Sequence, residues 1–255
     1  MKIKFYAFTL AEILITIGII GVIAALITPA LISNVQDRIR LGQFKKTYSM
    51  LNSVIQKSKA DLGYLPQCYS WLQSPYSGGG YCINYDARGG CIAWGYSDGS
   101  PRESDYQGPR TECSTWVNQI KNNLKIIKTC PNQAYANGCI PAYKGTDTIY
   151  MESNENATED DAYINTSGWT SMREANIRNN TDAYVLADGT ILMSISNGTE
   201  FKADINGKSG PNRWGYDVFY FIIQGASDGR LKLVGYTAPV EKGGKSARDM
   251  ILAAF

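Results

Sequence analysis

An uninterrupted apolar run near the N-terminus constrains this chain more than any other feature. From Phe8 to Ile32 the sequence reads FTLAEILITIGIIGVIAALITPALI, with Glu12 as its single charged residue, and the twenty residues from Ile13 to Ile32 carry no charge. At about 1.5 Å per residue, a helix of that length spans roughly 30 Å, the thickness of a bilayer's hydrocarbon core. Ahead of it, the stretch MKIKFYA is charged only at Lys2 and Lys4. A secretory signal peptide has a shorter apolar region, roughly 7–15 residues, followed by a small-residue cleavage site. Here the apolar run is longer and passes directly into an amphipathic segment, so any cut is expected before the helix.

The short basic leader, then Phe8-Thr9-Leu10-Ala11-Glu12, a long apolar helix and Pro29 near its end together resemble the class III signal of type IV pilins and of the pseudopilins of type II secretion. The resemblance is specific up to Ile32; beyond it, only the architecture and the Asp204–Asp217 stretch support it. It implies that prepilin peptidase cuts after Ala7 and N-methylates Phe8, the first mature residue. Glu12 then corresponds to the family's glutamate at the fifth mature position, and Pro29 to its helix-breaking proline. Ala7 stands where the family nearly always has glycine.

Those boundaries divide the chain into a leader (1–7), a transmembrane and assembly helix (8–32), its amphipathic continuation (33–62) and an extracytoplasmic globular region (63–255). The resemblance also implies a location: single-pass in a bacterial inner membrane with the N-terminus cytoplasmic, then in an extracytoplasmic or cell-surface filament. Its partners would be other pilin or pseudopilin subunits and the peptidase.

Electrostatics gives Glu12 a reason of its own. A charged side chain inside a membrane helix costs on the order of 2.5–3.5 kcal/mol on insertion scales, so it is normally paired or faces protein. The α-amino group freed by cleavage before Phe8 is a suitable cation, supplied in a filament by a neighbouring subunit. The plainer alternative is that Glu12, about one turn inside the cytoplasmic end, reaches the headgroups.

Charge and cysteine usage bound the remainder. The chain has 25 Lys and Arg against 23 Asp and Glu, and without Lys2 and Lys4 the count is 23 against 23. The excess basicity therefore belongs to the leader, where it favours a cytoplasmic N-terminus, and no electrostatic footprint for nucleic acid is left. Six cysteines, Cys68, Cys82, Cys91, Cys113, Cys130 and Cys139, lie beyond the apolar helix. An even number in a segment outside the cytoplasm argues for three disulfides, with the connectivity open. Cys130–Cys139 across the turn formers PNQAYANG and Cys82–Cys91 across NYDARGG are the favoured pairs, which leaves Cys68–Cys113. With no histidine in the chain and no Cys-x-x-Cys pair, zinc is disfavoured.

Beyond Pro29, Val35, Ile39, Phe44, Tyr48, Leu51 and Ile55 recur at helical spacing and predict an amphipathic helix ending at Gly63, with Pro29 and Gly42 as its softened points. Residues 64–113 read as an irregular disulfide-stapled region with short strands near Tyr81–Tyr85 and Cys91–Tyr96. Ser114 as N-cap with Trp116, Ile120, Leu124 and Ile127 predicts a second helix, and 142–180 reads as loop, its acidic run Glu159-Asp160-Asp161 a solvated patch. Runs at 183–187, 190–196 and 199–204, separated by Asp188-Gly189 and Asn197-Gly198, predict hairpins. With 217–224 and 230–234 they make a four- or five-stranded antiparallel meander. For 240–255 both a short helix and a tail stay open. The fold class is α+β: a long N-terminal helix on a C-terminal antiparallel sheet, with the stapled region between, as in pilin-like subunits.

Asp204 to Phe219, DINGKSGPNRWGYDVF, resembles a stretch near the C-terminus of pseudopilin-like proteins, some of which bind calcium nearby. By that resemblance Asp204, Asn206 and Asp217 are candidate oxygen ligands, although the stretch is no EF-hand, with Lys208 at the fifth position and Gly215 at the twelfth. The structural alternative is a turn selected for backbone geometry. No other cofactor is expected.

Catalytic patterns fail. Gly244-Lys245-Ser246 lacks the leading glycine of a phosphate loop, where Pro239 stands. Without histidine, Ser-His-Asp and Cys-His systems are excluded, so the chain does not read as an enzyme. The main expectation is a structural filament subunit. The second is a monomeric membrane-anchored surface binding protein that uses its Tyr/Trp-rich, disulfide-stabilised region.

Overall fold

The computed structural model describes residues 9–66, 68, 81–85, 87, 91–95, 112–195, 200–225 and 231–255. The chain divides into two units, Met1–Gly42 and Gln43–Phe255. Helix α1, Leu10–Leu62, supplies all the described helix of the first unit and the opening helix of the second.

In the first unit, the stretch Leu10–Thr28 is long and apolar enough to cross a membrane, and none of it is buried within the chain. Its hydroxyl side chains turn inward to the helix: Thr16 Oγ1 donates to the Ile13 carbonyl (2.9 Å) and Thr28 Oγ1 to that of Ala24 (2.6 Å). Hydrocarbon offers no hydrogen-bond partner, so hydroxyls satisfied by their own backbone suit a lipid environment. The helix continues through Pro29 and Gly42. Val35 and Ile39, expected on the buried face, lie in this unit and are exposed.

The second unit is built around six strands: β3 (Ile126–Cys130), β4 (Ala183–Leu186), β5 (Ile191–Met193), β6 (Glu200–Asp204), β7 (Val218–Gly225) and β8 (Leu231–Gly235), paired antiparallel in that order. A separate hairpin pairs β1 (Tyr81–Tyr85) with β2 (Cys91–Gly95). Neighbours in the sheet are consecutive in sequence, so the sheet needs no crossover: four to six residues join β4 to β5, β5 to β6 and β7 to β8, thirteen join β6 to β7, and residues 131–182 join β3 to β4. At Asp188-Gly189 the glycine takes φ +90°, a conformation other L-residues resist. The Asn197-Gly198 turn lies outside the described residues.

One sheet face meets the second half of α1. Phe201 opposes Phe221 and Ala203 opposes Phe219 across β6 and β7, and the Phe44 ring sits edge-on to Phe219 at 4.9 Å and tilted to Phe221 at 5.7 Å. Phe44, Leu51 and Ile55 are fully buried, which accounts for the amphipathic spacing. The same helix covers the β8 edge: Tyr48 Oη donates to the Leu233 carbonyl (3.0 Å) and Gln56 Nε2 to that of Leu231 (2.8 Å). Side-chain donors thus satisfy carbonyls that an edge strand leaves open. Helix α1 ends at Gly63, whose φ of +74° and hydrogen bond to the Lys59 carbonyl form a left-handed cap.

The opposite face packs on chain segments that were expected to be loop. Residues 142–180 contain helices α3 (Thr146–Ser153), α4 (Glu159–Asn165) and α5 (Glu174–Asn180), numbered after α2 (Cys113–Asn123). Tyr143, Ile149, Met172 and Ile177 from this region form a core with Ala183, Met193, Val218 and Tyr220 of the sheet. The acidic run is the first turn of α4, exposed as expected, with Thr158 and Asp161 closing a reciprocal capping box. Carboxylates at a helix N-terminus are favoured by its dipole.

Helix α2 starts with Glu112 as N-cap, places Ser114 in its first turn, and stops before Leu124. Ile127, expected on the helix, stands in β3, so the meander has six strands instead of four or five. β-branched Ile126, Ile127 and Thr129 suit an extended backbone, and β4 supplies the ladder bonds. At the C-terminus, helix α6 (Ala247–Ala254) is fixed by a capping box between Ser246 and Asp249.

Two disulfides are formed, Cys68–Cys113, the pair left by elimination, and Cys130–Cys139, a favoured pair. The first ties the end of α1 to the start of α2. By the chain-entropy model a 45-residue separation contributes about 4 kcal/mol and a 9-residue one about 2.7 kcal/mol. The expected Cys82–Cys91 pairing lies outside the described side chains.

Candidate functional site

Two groups of predicted site residues can be located, at the N-terminus of α1 and in the turn between β6 and β7. At the first, Thr9 precedes α1 as its cap. The Thr9 backbone N–H and Oγ1 both donate to Glu12 Oε2, at 2.8 and 2.9 Å, and the Glu12 N–H donates back to Thr9 Oγ1 at 3.2 Å. This is the Thr-x-x-Glu capping box, which satisfies backbone donors that a helix start leaves open. The carboxylate is exposed and uses only one oxygen; among the described residues Glu12 Oε1 has no partner. A negative charge is therefore held at the positive end of the helix dipole with one face available. Ala7 and Phe8 lie outside the described residues, and Pro29 is placed only as backbone within α1.

The sequence signal for the cap, Thr9 followed three residues later by Glu12, was legible but went unread beside the family signal. It gives Glu12 a local task in the single chain that neither snorkelling nor subunit pairing requires.

At the second group, the structure brings Asp204, Asn206 and Asp217 to one turn. Asp204 and Asp217 are fully buried. Asp204 Oδ2 accepts from Tyr143 Oη (2.6 Å) and Oδ1 from the Asn206 N–H (3.2 Å). Asp217 Oδ2 accepts from the Asn212 N–H (2.8 Å) and Oδ1 from the Arg213 N–H (2.7 Å). All four carboxylate oxygens thus organise the turn. Burial pushes the Asp204 carboxyl up to about 7, the Tyr143 hydrogen bond opposing that shift and the Asp217 charge adding to it; burial likewise drives the Tyr143 phenol far above its ordinary range.

Asn206 Nδ2 donates to the Gly210 carbonyl (2.7 Å), while Asn206 Oδ1 and Asn212 Oδ1 are buried with no partner among the described residues. Those two amide oxygens are of the hard type calcium takes, but an ion using the carboxylates as well would compete with four protein hydrogen bonds.

The turn is also anchored from outside. Buried Glu241 accepts from Arg213 Nε (3.0 Å) and the Trp214 N–H (3.1 Å), and Trp214 Nε1 donates to the Lys144 carbonyl (2.8 Å). Sequence reasoning missed Glu241 and Tyr143, because long-range partners leave no local pattern. Together these bonds make a structural junction that links β6, β7, residues 143–144 and the segment before α6.

The chain matches no protein-family model, no curated protein and no solved structure.

Proposed function

We propose that this chain is a structural subunit, a pilin or pseudopilin, of a helical filament of the type IV pilus or type II secretion kind. The observation that carries the reading is the composition of α1. One continuous helix begins at Thr9-Glu12, presents an apolar membrane-length stretch with none of it buried in its own chain, and then buries Phe44, Leu51 and Ile55 as core. A surface of that length and apolarity needs either lipid or copies of itself. Before assembly it would lie in the inner membrane; afterwards the same surface would pack against neighbouring subunits in a heterologous arrangement that does not close. Burial of apolar area would drive the transfer, and the charge of Glu12 would set the register against the Phe8 ammonium of a neighbour.

Prepilin peptidase is the implied processing partner. The junction between β6 and β7 would keep the globular region rigid, with no catalytic part to play.

Glu12→Val tests the assembly role. Valine removes the carboxylate and keeps the stretch insertable, so the variant should reach the membrane in normal amount and yield no ordered filaments by electron microscopy of sheared preparations. Normal filaments from Glu12→Val would remove Glu12 from the assembly mechanism.

A further inference from the structure

Lys202 is a lysine on a packed sheet face. Across β5, β6 and β7 its neighbours in register are Met193 and Tyr220, both core residues, and Lys202 itself is only 3% exposed. An ammonium group has three donors and needs acceptors for them when it leaves water. Among the described residues it has one hydrogen bond, to Ser171 Oγ at 3.3 Å. Burial pushes the Lys202 amine down, against the pull of the Glu200 and Asp182 carboxylates nearby. A buried cation so poorly provided for is a poor structural device, since an apolar residue of similar length costs less there.

The amine lines a cleft of about 440 Å³ whose wall also includes Ser171, Asn132, Asp182, Glu200 and Ser194. Small-molecule sites occupy roughly 300–1,000 Å³ but are mostly apolar; this one is lined chiefly by polar side chains. Asp182 Oδ2 accepts from Tyr184 Oη (2.7 Å), and among the described residues neither its other oxygen nor the Glu200 carboxylate has a hydrogen-bond partner. Lys121 stacks on the Tyr184 ring at 4.6 Å, and Tyr184 is the one aromatic residue among the described residues that line the cleft.

The cleft thus offers donors and acceptors side by side. With two carboxylates to one ammonium it disfavours an anion such as a phosphate group, and a simple cation supplies no acceptor for the Lys202 ammonium. A neutral molecule with several hydroxyls, each able both to donate and to accept, meets the whole set.

We infer that this cleft is a binding site for a neutral saccharide unit, with Lys202 donating to ligand hydroxyls and Asp182 and Glu200 accepting from them. The site is independent of the filament reading and would serve a filament subunit or a lone anchored protein equally. It is tested by saturation-transfer NMR and titration of the full chain in phosphatidylcholine nanodiscs, with methyl glycosides of glucose, galactose, mannose, rhamnose and the two N-acetylhexosamines, plus glucuronic acid as a charged control.

At least one neutral glycoside should bind at millimolar concentration or tighter, and glucuronic acid more weakly. Lys202→Met should weaken that binding at least tenfold while leaving the melting temperature equal or higher, and Glu200→Gln should weaken it severalfold. The inference is overturned if no neutral glycoside binds, if the charged control binds best, or if Lys202→Met binds like the parent. A lower melting temperature for Lys202→Met with binding intact in Glu200→Gln and Ser171→Ala would also overturn it, by making Lys202 a structural residue.

Discussion

Glu12 has one task in the single chain and, in the proposed filament, would take a second. In the single chain its Oε2 is occupied by Thr9, while Oε1 and the net charge remain for a partner. Asp204 is the contrasting case, a carboxylate with every oxygen engaged and no access to solvent. Its folded-state value of about 7 lies above the ordinary aspartate value of ~3.9. Folding therefore favours the protonated form. The stability this contributes is fully present below the unfolded value and is lost as the pH rises through about 7. The slope within that window is on the order of 1.4 kcal/mol per pH unit. Denaturant unfolding at stepwise pH should show stability falling from pH 4 to pH 7, and Asp204→Asn should flatten that fall. An equal slope in both proteins would mean that Asp204 titrates normally and that its burial has been misread.

Among the elements, α1 was the most legible because its two halves follow different simple rules, uniform apolarity and then a helical stripe. The stripe nonetheless begins before the packing does: Val35 and Ile39 continue the spacing but lie in the unit before Gln43 and are exposed. The consequence is a difference in mutational cost. Phe44→Ala empties a site between two phenylalanine rings and should cost about 3–5 kcal/mol in chemical denaturation, whereas Val35→Ala should leave the unfolding midpoint nearly unchanged. Equal costs would contradict the division of labour along α1.

The β4–β5 hairpin was legible too, since an Asp-Gly dipeptide between apolar and β-branched runs carries its own turn geometry. Helix α2 misled because Ile127 falls three residues after Leu124, a spacing that a helix and a new strand both allow, and β4 decides between them. Helices α3 to α5 were unreadable for a different reason. They are seven or eight residues long, too short to show a stripe or to be stable alone. They hold through caps and mutual bonds, such as Asp147 Oδ1 accepting from the Glu174 N–H (2.9 Å) and Thr148 Oγ1 donating to Glu174 Oε2 (2.5 Å).

At the scale of the molecule, the second unit is a six-stranded antiparallel meander with helices on both faces and two disulfides tying down its connections. The candidate sites divided along the same line as the fold. Residues placed by local sequence, Thr9, Glu12 and the Cys130–Cys139 pair, were legible, and those placed by tertiary contact, Tyr143, Glu241 and Lys202, were not. The filament reading rests on the N-terminal signal, and its first physical consequence is a cut before Phe8. N-terminal mass spectrometry of the protein isolated from its native membrane measures that directly. The account predicts a mature chain that starts at N-methylated Phe8, with Ala7 accepted in place of glycine. A chain that still starts at Met1 would contradict it and favour an anchored surface binding protein.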